Sequence, residues 1–385
     1  MSAARPLRVL HLLSGCTVGG CEQHVLSLIS GLDRSRFEPW LACFEAEPDE
    51  ATPMVPMFRA AGARVVDLGA SSRNDPRAVA RLGALLRRQS FDVIHAHSLR
   101  AELAMQICAR FAAGRPRLLR GVHNVEDFYN RQPWAALAGW SARRLDRVIA
   151  ISDAVLEHLV ASGRVPREKL ERIYYGIDPR PYADIEPPAP DADRPPTLLM
   201  IARLAPQKGH RVLFDALPAV LARVPDLVLR VVGHEEMSTR AELEAYARER
   251  GVAGAVRFEG FRGDVPSLLE ESDCFVLPSM WEGFGLVLLE AMAAARPVVA
   301  SAVGPIPEIV QDGVTGRLVP AGDAAALATA LLEVLESRAL GRDMGIAGRA
   351  RALERFSIET MVDAMSELYE RLAGRRDGGS LAAAS

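Results

Sequence analysis

A short apolar run, Cys274, Phe275, Val276 and Leu277, stops at Pro278, crosses a loop containing Gly283 and Gly285, and enters the Ala- and Leu-rich stretch 286–295. A run this short without polar alternation fits a strand buried on both faces, and the Ala/Leu stretch fits a helix. A buried strand leading directly into a helix belongs to a parallel sheet covered by helices. The glycines let backbone N–H groups approach a ligand at the helix start, where partial positive charge favours anions and hydroxyl oxygens. Glu282 stands just before that helix and Glu290 about one and a half turns inside it, so the two carboxylates reach different parts of one ligand. Glu290 sits among residues too apolar for an outer face, and an acid there needs a partner. Gly283, Phe284 and Gly285 also begin a G-x-G-x-x-G match, but its sixth position is Leu288, and the next apolar run carries no acid for a ribose.

The same alternation extends along the chain. Apolar runs at 7–13, 40–44, 64–68, 93–97, 118–123 and 148–151 are separated by helical patterns. A second series comprises 197–202, 227–233, 256–261, 273–277 and 297–301. This order predicts an α/β fold of two doubly wound, mostly parallel sheets. The proline density between Pro179 and Pro196 excludes a helix or central strand and reads as a linker. The expected divisions are a first domain over 1–178, a linker over 179–196 and a second domain over 197–355. A helix within 356–375 and a disordered tail over 376–385 complete the chain.

With 385 residues, 49% of them hydrophobic, the chain can bury two cores, and a net charge of −3 gives no footprint for nucleic acid. Cys16, Cys21, Cys43, Cys108 and Cys274 are odd in number and scattered, which reads as small core residues in a reducing compartment. Cys16 and Cys21 lack a second ligand pair for zinc. The run 7–13 is interrupted by Arg8 and His11 and reads as a first strand, not a signal peptide; no stretch is apolar enough to span a membrane. His95 and His97 share a strand face, but no carboxylate follows in a ligating position, so His95 reads as a polar residue at a strand end and no metal is expected. Asp191 and Asp193 match a metal-binding D-x-D pattern, yet they lie in the linker, where no fixed backbone positions them.

Three further features stand at strand ends. Gly19 and Gly20 lie in a loop into a helix expected to begin near Glu22; Arg203 and Lys208 follow the first strand of the second domain; His97, His123 and Ser152 end strands of the first. Helix starts and cations at such positions suit phosphate or sugar, while a tight turn or a solvated surface would look the same.

The W-E-G-F-G-L-V-L-L-E stretch from Trp281 to Glu290 resembles the E-x7-E motif of the retaining glycosyltransferases of family 4, which have the GT-B fold. G-G-C-E at 19–22 resembles that family's G-G-A-E loop, Arg203 and Lys208 its R-x4-K motif, and Tyr175, Gly176, Ile177 and Asp178 its Y-G-I-D segment. The resemblance implies two Rossmann-like domains facing a cleft, with the last helix crossing back to the first domain. It assigns the sugar to Glu282, the ribose to Glu290, and the diphosphate to Arg203, Lys208 and the backbone of Gly20. His123, in a V-H-N context, falls to the sugar near the reaction centre. Arg262 borders the nucleobase, and Gly19, Gly283, Phe284, Gly285 and Leu286 complete the donor-binding set. Pro305 stands where the family's V-G-G-x-x-E turn has its second glycine, which removes a backbone donor.

The implied activity is retaining, metal-independent and cofactor-free transfer of a hexose-type sugar. The donor is a nucleotide-diphosphate sugar, and the acceptor is a hydroxyl of a glycan, lipid-linked or small molecule. An NDP-sugar epimerase of the same architecture, or a silent NDP-sugar-binding subunit, are the alternatives. The expected location is cytoplasmic; a helix over 134–147 carrying Trp140, Arg143, Arg144 and Arg147 reads either as a solvated basic face with Trp140 packed on a neighbour or as a weak peripheral contact with anionic lipid at the inner membrane face.

Overall fold

The computed structural model describes residues 5–16, 19–45, 54–72, 75–124, 134–189 and 194–374. The chain divides into two compact units, Met1–Gly176 with Ile358–Ser385, and Ile177–Ser357.

In the first unit the strands are β1 (Leu7–Gly15), β2 (Phe37–Glu45), β3 (Arg64–Asp67), β4 (Val93–Ala96), β5 (Arg117–Val122), β6 (Arg147–Ala150) and β7 (Leu170–Arg172). They form a parallel sheet in the order β3-β2-β1-β4-β5-β6-β7. The order reverses beside β1, so the crevice between the ends of β1 and β4 is this sheet's switch point, the usual ligand position in such folds. The helix Ile358–Leu372 belongs to this unit. Its apolar face, Met361, Val362, Met365, Leu368 and Tyr369, packs on Leu7, Leu28, Phe37 and Ile149. Gly31 permits that approach, since a Cβ there would fall 2.5 Å from the Val362 side chain.

The second unit repeats the architecture with β8 (Thr197–Ile201), β9 (Val228–Val232), β10 (Val256–Gly260), β11 (Cys274–Leu277), β12 (Val298–Ser301) and β13 (Gly316–Val319), all parallel, in the order β10-β9-β8-β11-β12-β13. Its switch point lies between β8 and β11. The two strands with no counterpart in the sequence reading, β7 and β13, are sheet edges; with one face open to water they carry Glu171, Arg172 and Arg317 and lack the apolar run that marks a central strand.

Three expectations are corrected. The stretch read as a linker is packed on the second unit through its first part: Arg180–Tyr182 form a 3-10 turn, Tyr182 and Ile185 are buried, and Arg296, Arg342 and Arg349 donate to the carbonyls of Glu186, Pro187 and Ile185. Prolines fit this role because an extended segment held by its carbonyls needs no N–H donor. Cys16 and Cys43 are not free core thiols but a disulfide joining the ends of β1 and β2, with Cα atoms 6.4 Å apart; Cys21, Cys108 and Cys274 are free. The helix expected over 134–147 ends at Ala142, and Arg147 starts β6, so Arg147 does not share a helical face with Trp140. Asp191, Asp193 and the tail 376–385 lie outside the described residues. Among the described residues no helix is long and apolar enough to cross a membrane.

Candidate functional site

At the switch point of the second sheet, β8 and β11 each end in a loop and a helix. After β8 the chain makes a 3-10 turn, Pro206–Lys208, and Gly209 adopts φ 75° before the helix His210–Leu221. A Cβ at Gly209 would lie 1.9 Å from the Pro278 carbonyl oxygen, so only glycine allows the two loops to meet. Met280 N–H donates to the Gln207 carbonyl at 2.7 Å and fixes the contact.

This contact joins the two charged motifs. Lys208 Nζ lies 2.6 Å from Glu282 Oε1, and Ser279 Oγ donates to the same oxygen at 2.8 Å. The side chains are 14% and 7% exposed, so the pair is partly desolvated and its geometry is fixed. Gly304, at φ 49°, presses its backbone on Glu282, where a Cβ would fall 2.9 Å from the Glu282 carbonyl oxygen. Pro305, the departure noted above, caps the short helix Ile306–Ile309, a position that needs no N–H.

Gly283, Phe284 and Gly285 lead into the helix Leu286–Ala293. Gly285 is in the left-handed region at φ 92°, and Phe284 is buried with its ring 6.4 Å from that of Phe356. Phe284 therefore anchors the loop from below, leaving the N–H groups around it at the helix start beside Leu286. Glu290 is half-buried on that helix. Desolvation pushes its carboxyl up to about 7, against a hydrogen bond from Tyr182 that favours the charged form. Tyr182 is the partner that the apolar surroundings of Glu290 require; it was missed because it lies in the proline-rich stretch.

Arg203 stands after β8, but its guanidinium is paired with Glu236, on the loop after β9, and not with Lys208 or Glu282. Arg262 is held between Glu259 and Asp264, which raise its pKa further above the usual arginine value. Both cations are thus placed by carboxylates that a ligand anion would displace or share. Glu236 could have been found as an acid following a strand end.

The first unit carries the remaining positions. Gly19 caps the helix Gly20–Gly31 in extended conformation, so the helix begins at Gly20, two residues ahead of the expected start. Val122 ends β5 and His123 follows it. His97 shares a hydrogen bond of 3.0 Å between its Nδ1 and His123 Nε2, while Tyr175 Oη bonds His123 Nδ1. Both ring nitrogens of His123 are engaged, so any contact with a sugar exchanges one of these bonds. Burial lowers the pKa of His123 to about 3, and the charge of Arg120 lowers it as well. His95, expected as an isolated polar residue at a strand end, is instead one of a cluster with His11, His24, His97 and His123. Ser152 caps the helix Asp153–Ser162 through Val155 N–H, a structural duty.

Residues 18–180 match the family described as Glycosyltransferase Family 4, and residues 183–351 match that described as Glycosyl transferases group 1. A GDP-mannose-dependent alpha-(1-6)-phosphatidylinositol monomannoside mannosyltransferase of Mycolicibacterium smegmatis is 33% identical over 290 residues, covering 69% of this chain and 72% of the relative. A phosphatidyl-myo-inositol mannosyltransferase of Mycobacterium leprae is 29% identical over 365 residues, covering 92% of this chain and 94% of the relative. Among solved structures, Anabaena HepE in complex with UDP and glucose superposes with a TM-score of 0.81 at 23% identity, covering 95% of this chain and 100% of that one.

Proposed function

Because the chain belongs to the family 4, group 1 glycosyltransferases and has the GT-B fold, we propose that it transfers a hexose-type sugar from a nucleotide-diphosphate sugar to a hydroxyl of a lipid-linked or glycan acceptor, with retention of configuration. The observation that carries this reading is the Lys208–Glu282 pair at the second sheet's switch point, with Glu290 on the helix that follows Glu282 and Tyr182, from the turn 180–182, bonded to it.

Bond breaking at the anomeric carbon leaves negative charge on the departing diphosphate. Lys208, Arg203 and the N–H groups after Gly283 are cations and dipoles of the right sign to take up that charge, and this stabilisation does not require a metal. Donor binding would exchange part of the Lys208–Glu282 interaction for a Lys208–phosphate one, releasing a Glu282 oxygen toward a sugar hydroxyl. Glu290, ionised, accepts from the ribose hydroxyls, and Arg262 borders the base. On the acceptor side, the hydroxyl oxygen bonds to the anomeric carbon as the carbon–phosphate oxygen bond breaks on the same face, and the acceptor proton passes to the leaving phosphate oxygen. His123 would contact the sugar near that centre.

These relatives make GDP-mannose the first donor to try and UDP-glucose the second, with phosphatidylinositol glycolipids as the first acceptors. The test is a thermal-shift screen of these donors, followed by acceptor-dependent NDP release and assignment of the product anomer. Donor epimerised in the absence of acceptor identifies an epimerase, an inverted product removes the retaining mechanism, and binding with no turnover on any acceptor indicates a silent donor-binding subunit.

A further inference from the structure

The switch point of the first sheet holds a second constellation, separate from the groups proposed for the leaving diphosphate. His11 on β1 and His95 on β4 are register partners, and His97 follows β4 by one residue. All three are buried, at 0%, 1% and 5% exposure, and one ring nitrogen of each lies within 4.8 Å of one from each of the others. Buried imidazoles normally satisfy both nitrogens, yet His11 Nε2 and His95 Nε2 have no hydrogen-bond partner.

In His95 and His97 the other ring nitrogen is arranged as in metal-bound histidines, tied to a neighbour that fixes the tautomer, whereas His11 would ligate through Nδ1 and its Nε2 has no such neighbour. His95 Nδ1 lies 2.9 Å from Tyr369 Oη, which leaves Nε2 free to ligate. His97 Nδ1 lies 3.0 Å from His123 Nε2, and its own Nε2 faces His11 Nδ1 at 3.1 Å. Tetrahedral zinc with Zn–N bonds near 2.0–2.1 Å separates its nitrogens by about 3.3 Å, so an ion replacing the shared proton needs only a small widening of that pair. Gly121 on β5 keeps the space open: a Cβ there would fall 3.3 Å from His95 Nε2 and 2.7 Å from His123 Nε2.

We propose that His11, His95 and His97 form a binding site for a divalent transition metal of the zinc class, with His97 Nε2, His95 Nε2 and His11 Nδ1 as ligands and a fourth position for water. Three neutral imidazoles and no carboxylate select zinc, cobalt or nickel over magnesium or calcium, which require oxygen ligands. Once His97 ligates through Nε2, its Nδ1–H must donate to His123, and His123 Nδ1–H to Tyr175. The metal would thereby hold His123 in one tautomer.

The experiment titrates Co2+ and Zn2+ into tag-free, chelator-treated full-length protein, with visible absorption for cobalt and X-ray absorption for the zinc-loaded form. The expected result is one metal per chain, four-coordinate cobalt bands, three imidazole nitrogens, and at least ~10-fold weaker binding for His95→Asn and His11→Asn, folded by circular dichroism. Absence of binding at ~100 µM metal overturns the proposal, as do fewer than three imidazoles or unchanged affinity in both variants. A thiolate-to-cobalt band lost in Cys21→Ser also overturns it, because that places the ion among Cys21, His97 and His123. Should a variant fail to fold, the wild-type ligand count alone decides.

Discussion

Lys208 and Glu282, 74 positions apart, are joined by a 2.6 Å ion pair. The cation assigned to the leaving group and the carboxylate assigned to the sugar are thus one electrostatic unit. Lys208→Ala should lower turnover on the order of 10²-fold at saturating donor while the protein remains folded. Glu282→Gln should act on the same unit, so the double variant should lose less than the product of the two single effects. Steady-state kinetics on the four proteins checks this; near-normal turnover of Lys208→Ala would remove the assignment.

Glu290 divides the ligand differently. Glu290→Gln should weaken binding of free NDP, whereas Glu282→Gln, which leaves Lys208 to the phosphates, should not weaken it and should impair sugar transfer. Calorimetry with NDP alone distinguishes them, and equal losses would contradict the division.

The carboxyl of Glu290 is pushed up to about 7, chiefly by desolvation. A ribose hydroxyl donates more strongly to the ionised carboxylate than to the neutral acid, so NDP affinity should increase as pH rises through about 7, beyond the change seen in Glu290→Gln. Tyr182 donates to the ionised carboxylate, and on the facing helix Arg349 is engaged by the Ala293 and Ile185 carbonyls. Tyr182→Phe should therefore move the midpoint to higher pH. The same shift has a stability consequence of opposite sign. The folded state holds a proton that the unfolded chain, with a carboxyl near 4.5, releases, so this contribution is full below about 4.5 and lost as pH rises through about 7. Thermal melting of wild type and Glu290→Gln across that window measures it.

Glu102 and Arg120 form a buried ion pair at 3.1 Å, with side chains 0% and 8% exposed, and Ser141 and Gln106 bond to the same carboxylate. Glu102→Ala removes the carboxylate facing the buried Arg120 guanidinium and should destabilise the first unit by about 3–5 kcal/mol, while Glu102→Leu combined with Arg120→Leu should recover most of that loss. Denaturant titration compares the two; equal destabilisation would show that the pair is not the cause.

The surface expected to meet lipid is altered by the structure but not removed. Arg144 stacks its guanidinium 3.8 Å from the centre of the exposed Trp140 ring, and the neighbouring helix Leu99–Ala109 and its following turn expose Ile107 and Phe111. With Arg147 turned into β6, Arg143 and Arg144 remain as cations on this face, each contributing ~1 kcal/mol at most near anionic lipid. Weak, salt-sensitive sedimentation with anionic vesicles is expected, reduced by Trp140→Ala with Phe111→Ala. Binding unchanged in that variant, or none by wild type at low salt, rejects the surface.

The central strands, the two parallel sheets and the charged motifs after β8 and β11 were legible in the chain, because strands buried on both faces must be continuously apolar and ligand loops must follow their ends. The loop glycines 283 and 285 were equally visible, whereas the role of Gly209, whose missing Cβ lets its loop meet Pro278, came from the structure. What tertiary structure decided were relations between residues distant in sequence: Lys208 with Glu282, Tyr182 with Glu290, Cys16 with Cys43. His95, which read singly as a polar residue at a strand end, became one of a cluster of five histidines. No local pattern encodes such pairings. A side chain's partner is fixed by strand order, which brings β1 beside β4 and β8 beside β11, and that order is set by how whole elements bury their apolar faces rather than by the residues that meet there.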